Sequence, residues 1–197
     1  MSQITPHLPA RQAESEIAIP QFVLRLLANP PLLPNETREE FFQIFEDFTS
    51  AIPPQAQLDY YVFFEIAVLT IEVIRYRRMK IAIFNNAQCR VVDGVFRQTD
   101  PDVNAKGSVA IAANASRKYM MDPVYRANAA KGFAEAGFNQ ESIDGESFVR
   151  ALPDIASIER LIVSAQRRLN ASLKNFASHD DRVGTMRATA KRAIDRA

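Results

Sequence analysis

One stretch constrains this chain more than any other. Between Gln55 and Asp100 there is no proline, and Gly94 is the only glycine. Over that length the backbone meets almost no residue that forces a turn. Within it Val62, Ile66, Leu69, Val73 and Tyr76 follow at alternating steps of four and three, and Ile83, Ala87, Val91 and Val95 continue the stripe. This period lines up side chains on one side of a helix, not on one face of a strand. The pattern predicts a single helix over about 55–97. At ~1.5 Å per residue it is roughly 60 Å long. Its first half is apolar nearly all round, so more than one neighbouring element has to cover it.

A second stripe matches the first. Ile155, Ile158, Ile162, Ala165, Leu169, Leu173 and Phe176 recur at the same spacing, and Val183, Met186, Ala190 and Ile194 hold its phase. With Pro153-Asp154 as the opening signal, this predicts a last helix over about 154–195, with Gly184 as the place for a bend. Two apolar stripes of similar length pack most simply as an antiparallel pair, as in a coiled coil. The expected fold is therefore all-α, two long helices covered by shorter ones.

The shorter helices have their own punctuation. Phe22–Ala28 is closed by Asn29-Pro30-Pro31. Asn35 is a candidate cap ahead of Glu36, Glu39 and Glu40, acids that suit a helix N-terminus, and Phe41, Ile44, Phe45 and Phe48 then recur at helical spacing until Pro53-Pro54. Asp122-Pro123 reads as a cap followed by proline in the first turn, and Gly137 as the C-terminal glycine. Asn139 opens a short helix to about Leu152, weakened by Gly145, while 98–121 is a connector with helical potential. Residues 1–20, with Pro6, Pro9 and no periodicity, read as a flexible arm, and 21–197 as one helical domain. Its expected core has Val62, Ile66, Leu69 and Val73 facing Phe41, Ile44 and Phe45 or the second half of the last helix.

Composition narrows the setting. A single cysteine, Cys89, can neither close an internal disulfide nor frame a zinc site, which fits a reducing compartment. No basic segment followed by an apolar run opens the chain. The most apolar stretch, Tyr60–Ile74, is shorter than the roughly 20 residues of a membrane span and holds Glu65 and Glu72. The expectation is a cytoplasmic protein with no membrane association.

Three stretches carry a resemblance. They are Pro31-Leu32-Leu33-Pro34 before an acidic-aromatic helix, the run Leu69-Thr70-Ile71-Glu72-Val73-Ile74-Arg75-Tyr76-Arg77-Arg78-Met79-Lys80, and Ile158-Glu159-Arg160-Leu161-Ile162 followed by Gln166-Arg167-Arg168-Leu169-Asn170. Over about 30–195 the chain resembles a group of uncharacterised small helical bacterial proteins, with an acidic-arginine long helix and an arginine-rich final helix. The resemblance implies a helical fold and a bacterial cytoplasm, and it implies no activity.

Signs of chemistry are sparse. Helical di-iron sites use Glu-x-x-His pairs, whereas His7 and His179 both lie outside such spacing. Glu65 and Glu72 are seven apart and share a helix face, which makes a carboxylate site conceivable. Their simpler role is as structural ion pairs, Glu72 with Arg75 and Glu65 with a base of the last helix, and Arg78 lies on the same side as Arg75. Cys89 has no histidine near it in sequence, so packing explains it better than reactivity. Ala105-Lys106-Gly107-Ser108 has phosphate-loop residues in the wrong order. No cofactor is expected.

Charge is segregated although the whole chain is nearly neutral, at +1. Residues 36–65 hold Glu36, Glu39, Glu40, Glu46, Asp47, Asp59 and Glu65 against Arg38; residues 75–90 hold Arg75, Arg77, Arg78, Lys80 and Arg90 with no acid. Mutual neutralisation of packed helices explains most of this. The expected function is a non-enzymatic helical interaction or scaffold protein, with a protein partner or a second copy of itself. The alternative is a nucleic-acid-associated accessory protein using a basic face of Arg77, Lys80, Arg167 and Arg168. On either view Arg77 and Lys80 are expected to be largely solvated, and Arg75 or Arg78 to be ion-paired.

Overall fold

A computed structural model describes residues 17–99, 109–176 and 182–196 of the chain. Among them are seven helices and no strand. In chain order they are α1 (Gln21–Ala28), α2 (Arg38–Ala51), α3 (Gln57–Thr99), α4 (Val109–Met121), α5 (Pro123–Glu135), α6 (Gln140–Phe176) and α7 (Arg182–Arg196). The described residues divide into two compact units, one from 17–70 and 169–196, the other from 71–168. Helices α3 and α6 each contribute to both.

The first unit is built on phenylalanine. Phe41, Ile44, Phe45 and Phe48 form the buried side of α2, and Val23 and Leu27 that of α1. Phe41 meets Phe64 of α3 edge-on at 5.7 Å, and Phe63 meets Phe176 of α6 at 5.3 Å. Such aromatic pairs are worth about 0.5–1.5 kcal/mol beyond their buried area. Ile66 and Leu69 are buried as expected, whereas Val62 is only half-buried. Helix α2 also packs on α7, where Arg196 reaches Asp47. The arm's last residues join this unit, since Pro20 is buried and the Ile17 carbonyl accepts a 3.0 Å bond from the Tyr60 hydroxyl. Residues 1–16 of the arm lie outside the described residues.

The cap of α2 is not Asn35. It is Thr37, whose hydroxyl accepts from the Glu40 N–H at 3.2 Å. A threonine three residues before a glutamate has the spacing of a capping box, which Asn35 lacks. Arg38 adds a second closure, donating to the Ala28 carbonyl at the end of α1.

The second unit has an aromatic cluster at one end. Val91, Val92, Val95 and Phe96 of α3 are buried with Tyr119 of α4, Phe133 of α5 and Ile143 of α6. Phe133 lies 4.9 Å from Phe96 and 5.6 Å from Tyr119, centroid to centroid. The expected start and stop signals operate here. Asp122 accepts from the N–H groups of Val124 and Tyr125, with Pro123 in the first turn. Gly137, at φ +84°, ends α5. Its N–H donates to the Ala134 carbonyl and that of Phe138 to the Phe133 carbonyl, the paired bonds of a Schellman motif. Asn139 and Ser142 cap α6 reciprocally, each side chain accepting from the other's N–H.

Within this unit α3 and α6 run antiparallel. Glu72 meets Arg168, Lys80 meets Glu159, and Gln88 donates to Asp144 at 2.7 Å, so contacts advance along α3 as they retreat along α6. The expected break at Pro153 is absent: α6 runs through it from Gln140. An internal proline costs about 3 kcal/mol, because it lacks an N–H and crowds the carbonyl four residues back. Packing on both sides outweighs that cost, since Ala151 and Ile155 are both buried against Ala87 of α3. The long stripe expected over 154–195 is therefore carried by α6 up to Phe176 and by α7 from Arg182, with Gly184 inside α7. The junction at 177–181 and the side chains of Val183 and Met186 lie outside the described residues.

Candidate functional site

The residues expected to carry function lie on α3 and α6, all but Glu65 in the second unit. The basic run places Lys80 in solvent; instead it is paired with Glu159 and about half exposed. It lies seven residues after Val73 and seven before Ala87, both buried, so it occupies the inward row of α3. Its aliphatic stem lies along the seam while the ammonium reaches a carboxylate at the edge. Glu72 is reached by Arg168 from α6. Glu65, in the first unit and expected to meet a base of the last helix, is engaged by the Tyr61 hydroxyl one turn earlier. The carboxylate's charge, burial and that hydrogen bond together hold the Tyr61 phenol above its usual pKa. Arg75 is half-buried and Arg78 exposed, and both carry interactions of their own.

Arg77 is exposed as expected, and so is Arg167. The proposed basic face thus divides. Lys80 and Arg168 are committed to carboxylates across the helix pair, while Arg77 and Arg167 project outward.

Beside Arg77 lies a groove of about 600 Å³, lined by Arg77, Lys80, Ile81 and Phe84 of α3 and by Phe148, Ile155, Glu159, Ile162 and Gln166 of α6. Its floor is apolar and its rim carries both signs of charge. The apolar surface continues along α6. Phe148 is 49% exposed, Val149 64%, Leu152 47% and Val163 42%, and Ile81 on α3 is 60% exposed. Large apolar side chains gathered on one side of a helix pair, with a polar rim, characterise surfaces that receive partners. In the sequence the residues of this exposed side of α6 interleave with the core stripe.

Reactive chemistry has less support. A second concavity, of about 700 Å³ in the first unit, is lined by Asp47, Ser50, Ala51, Thr189, Arg192, Asp195 and Arg196. The Arg196–Asp47 pair lies in it. No group of three or more histidine, cysteine or acidic side chains suited to a metal occurs among the described residues. Cys89 is half-buried, with its thiol 3.6 Å from the Ser116 hydroxyl, which itself donates to the Ala113 carbonyl. Residues His7, His179 and 105–108 lie outside the described residues. Among the described residues no helix is long and apolar enough to cross a membrane. Comparison with protein families, curated proteins and solved structures finds no match for the chain.

Proposed function

We infer that this chain is a non-enzymatic helical interaction protein whose docking surface is the exposed side of α6 and the adjoining groove on α3. The observation that carries this reading is the row of Phe148, Val149, Leu152 and Val163, each more than two-fifths exposed on a helix that packs well on its other side. The occupant such a surface fits is an amphipathic helix, its apolar face laid along the row and its charges meeting the rim.

The test is comparative. The wild-type chain and the double variant Val149→Asp, Leu152→Asp are used to capture binding proteins under equal conditions. Loss of capture at unchanged far-UV helicity supports the docking surface, and equal capture by both proteins sinks it. The nucleic-acid alternative keeps Arg77 and Arg167 as its outward bases. It requires affinity for duplex DNA that falls steeply between about 50 and 200 mM salt. The commitment of Lys80 and Arg168 to Glu159 and Glu72 favours the protein partner.

A further inference from the structure

The exposed side of α6 repeats on its own heptad. Val149, Ala156 and Val163 are seven apart, with Leu152 in the intervening position, and all four are exposed. This is the spacing of a coiled-coil seam. The same helix is divided by charge. Residues 141–159 carry Glu141, Asp144, Glu146, Asp154 and Glu159 against Arg150, a net of −4; residues 160–168 carry Arg160, Arg167 and Arg168 with no acid, a net of +3. Flanking the exposed row, the acidic end presents Glu141 and Glu146, the latter exposed while also accepting from Arg150 one turn on at 2.7 Å, and the basic end presents Arg160 and Arg167, all four exposed.

We propose that the partner of this face is a second copy of the chain, the two α6 helices lying antiparallel across a two-fold axis near Ala156. The proposal rests on the docking reading above and names its occupant. A two-fold contact joins one patch to itself, so the patch must be self-complementary. Parallel alignment fails this condition, because it sets Glu146 against Glu146 and Arg167 against Arg167. Antiparallel alignment meets it twice over. Reflected about Ala156, Glu146 comes within a residue of Arg167, Val149 opposite Val163, and Leu152 under the aliphatic stem of Arg160. Opposed charges then select orientation and register, and the apolar row supplies the attraction. The small side chain at Ala156 lets the two backbones approach at the axis. Arg160 is oriented for this along its own helix, donating to the Ala156 carbonyl at 3.2 Å.

Sedimentation equilibrium of the wild-type chain and its variants tests it. The wild-type chain dimerises, and Val149→Asp with Val163→Asp weakens the dimer by about tenfold or more. The charge reversal Arg167→Glu is monomeric, and so is Glu146→Arg, since each sets like charges against each other where position 146 of one copy meets position 167 of the other. Mixed in equal amounts, the two reversed chains form a dimer again, because the flanking contacts are once more between opposite signs. Arg167→Gln, a milder change, gives an intermediate dissociation constant. Far-UV helicity equal to wild type shows that the variants fold. A wild-type chain that stays monomeric, a dimer indifferent to both reversals, or a mixture that does not re-form the dimer overturns the proposal. If the wild-type chain is monomeric yet loses capture of another protein through Val149→Asp, Leu152→Asp, only the self-pairing fails. If those two changes alter neither self-association nor capture, the docking reading fails with it.

Discussion

Phe138 is tied to Phe133 through the backbone: its N–H donates to the Phe133 carbonyl at 2.8 Å, and its ring packs against the cluster in which Phe133 is buried. The bond is possible only because Gly137 between them turns left-handed, at φ +84°. One residue thereby ends α5 and returns the chain to the aromatic core.

Gly137→Ala should therefore destabilise the protein by about 1–2 kcal/mol, the cost of a side chain in left-handed backbone. Gly132 is the matched control. It lies inside α5 with nothing within 4 Å of where a β-carbon would stand, so Gly132→Ala should stabilise by about 0.5–1 kcal/mol. Urea denaturation of both variants checks the pair, and equal effects would contradict the assigned end of α5.

Leu69 and Phe133 test the two cores separately. Leu69 belongs to the first unit and is 7% exposed; Phe133 belongs to the second and is 3% exposed. Leu69→Ala should cost about 2–5 kcal/mol and Phe133→Ala about 3–5 kcal/mol. A loss below about half a kcal/mol at either site, read from denaturant midpoints, would place that side chain at the surface.

The pairs Lys80–Glu159 and Glu72–Arg168 are partly exposed, so their strength is limited by solvent. A double-mutant cycle at Lys80→Met and Glu159→Gln should give a coupling of about 0.2–1 kcal/mol that shrinks with added salt. A coupling of several kcal/mol would indicate that the seam excludes water there.

Tyr119 makes stability fall in alkali. Burial raises its phenol above the ordinary 10.0; Arg126 pulls it down and Asp144 pushes it up, both less strongly. The unfolded chain ionises at the lower pKa, so the unfolded state gains once pH passes the ordinary value. The stabilisation is complete below about pH 10 and is lost as pH rises toward the folded value. Tyr119→Phe should flatten the decline between about pH 9 and pH 11 in denaturant midpoints. It also removes the 2.8 Å bond to Gln140, so the variant starts from lower stability at neutral pH. An unchanged alkaline slope would show that other tyrosines carry it.

Much of this architecture is legible in the chain. The absence of breakers between Gln55 and Asp100 announces α3, and Asp122, Gly137 and Asn139 act where their chemistry places them. Three features are hidden for physical reasons. Thr37 competes with Asn35 as a cap, and only the glutamate three residues on separates them. Lys80 looks like one member of a basic run, yet the seven-residue step from Val73 to Ala87 turns it inward. The apolar row on the outside of α6 merges with the core stripe in any single-helix reading, because a helix apolar on two sides looks simply buried.

Pro153 is the remaining case, and it yields the last prediction. Proline normally bounds a helix, since it lacks an N–H for the carbonyl four residues back, here that of Val149. Both Val149 and Pro153 are exposed, so water can serve that carbonyl. Ala151 and Ile155 on either side stay buried against Ala87, with Ile83 packed alongside, and they hold the helix through the defect. The proline is thus tolerated rather than required for packing. Pro153→Ala should stabilise the chain by about 1–3 kcal/mol, somewhat less than the full helix-interior penalty because the unfolded chain also gains freedom. Thermal and urea unfolding should both shift upward with no loss of helicity. A destabilised variant would show that the local geometry imposed by Pro153 is part of how α6 seats on α3.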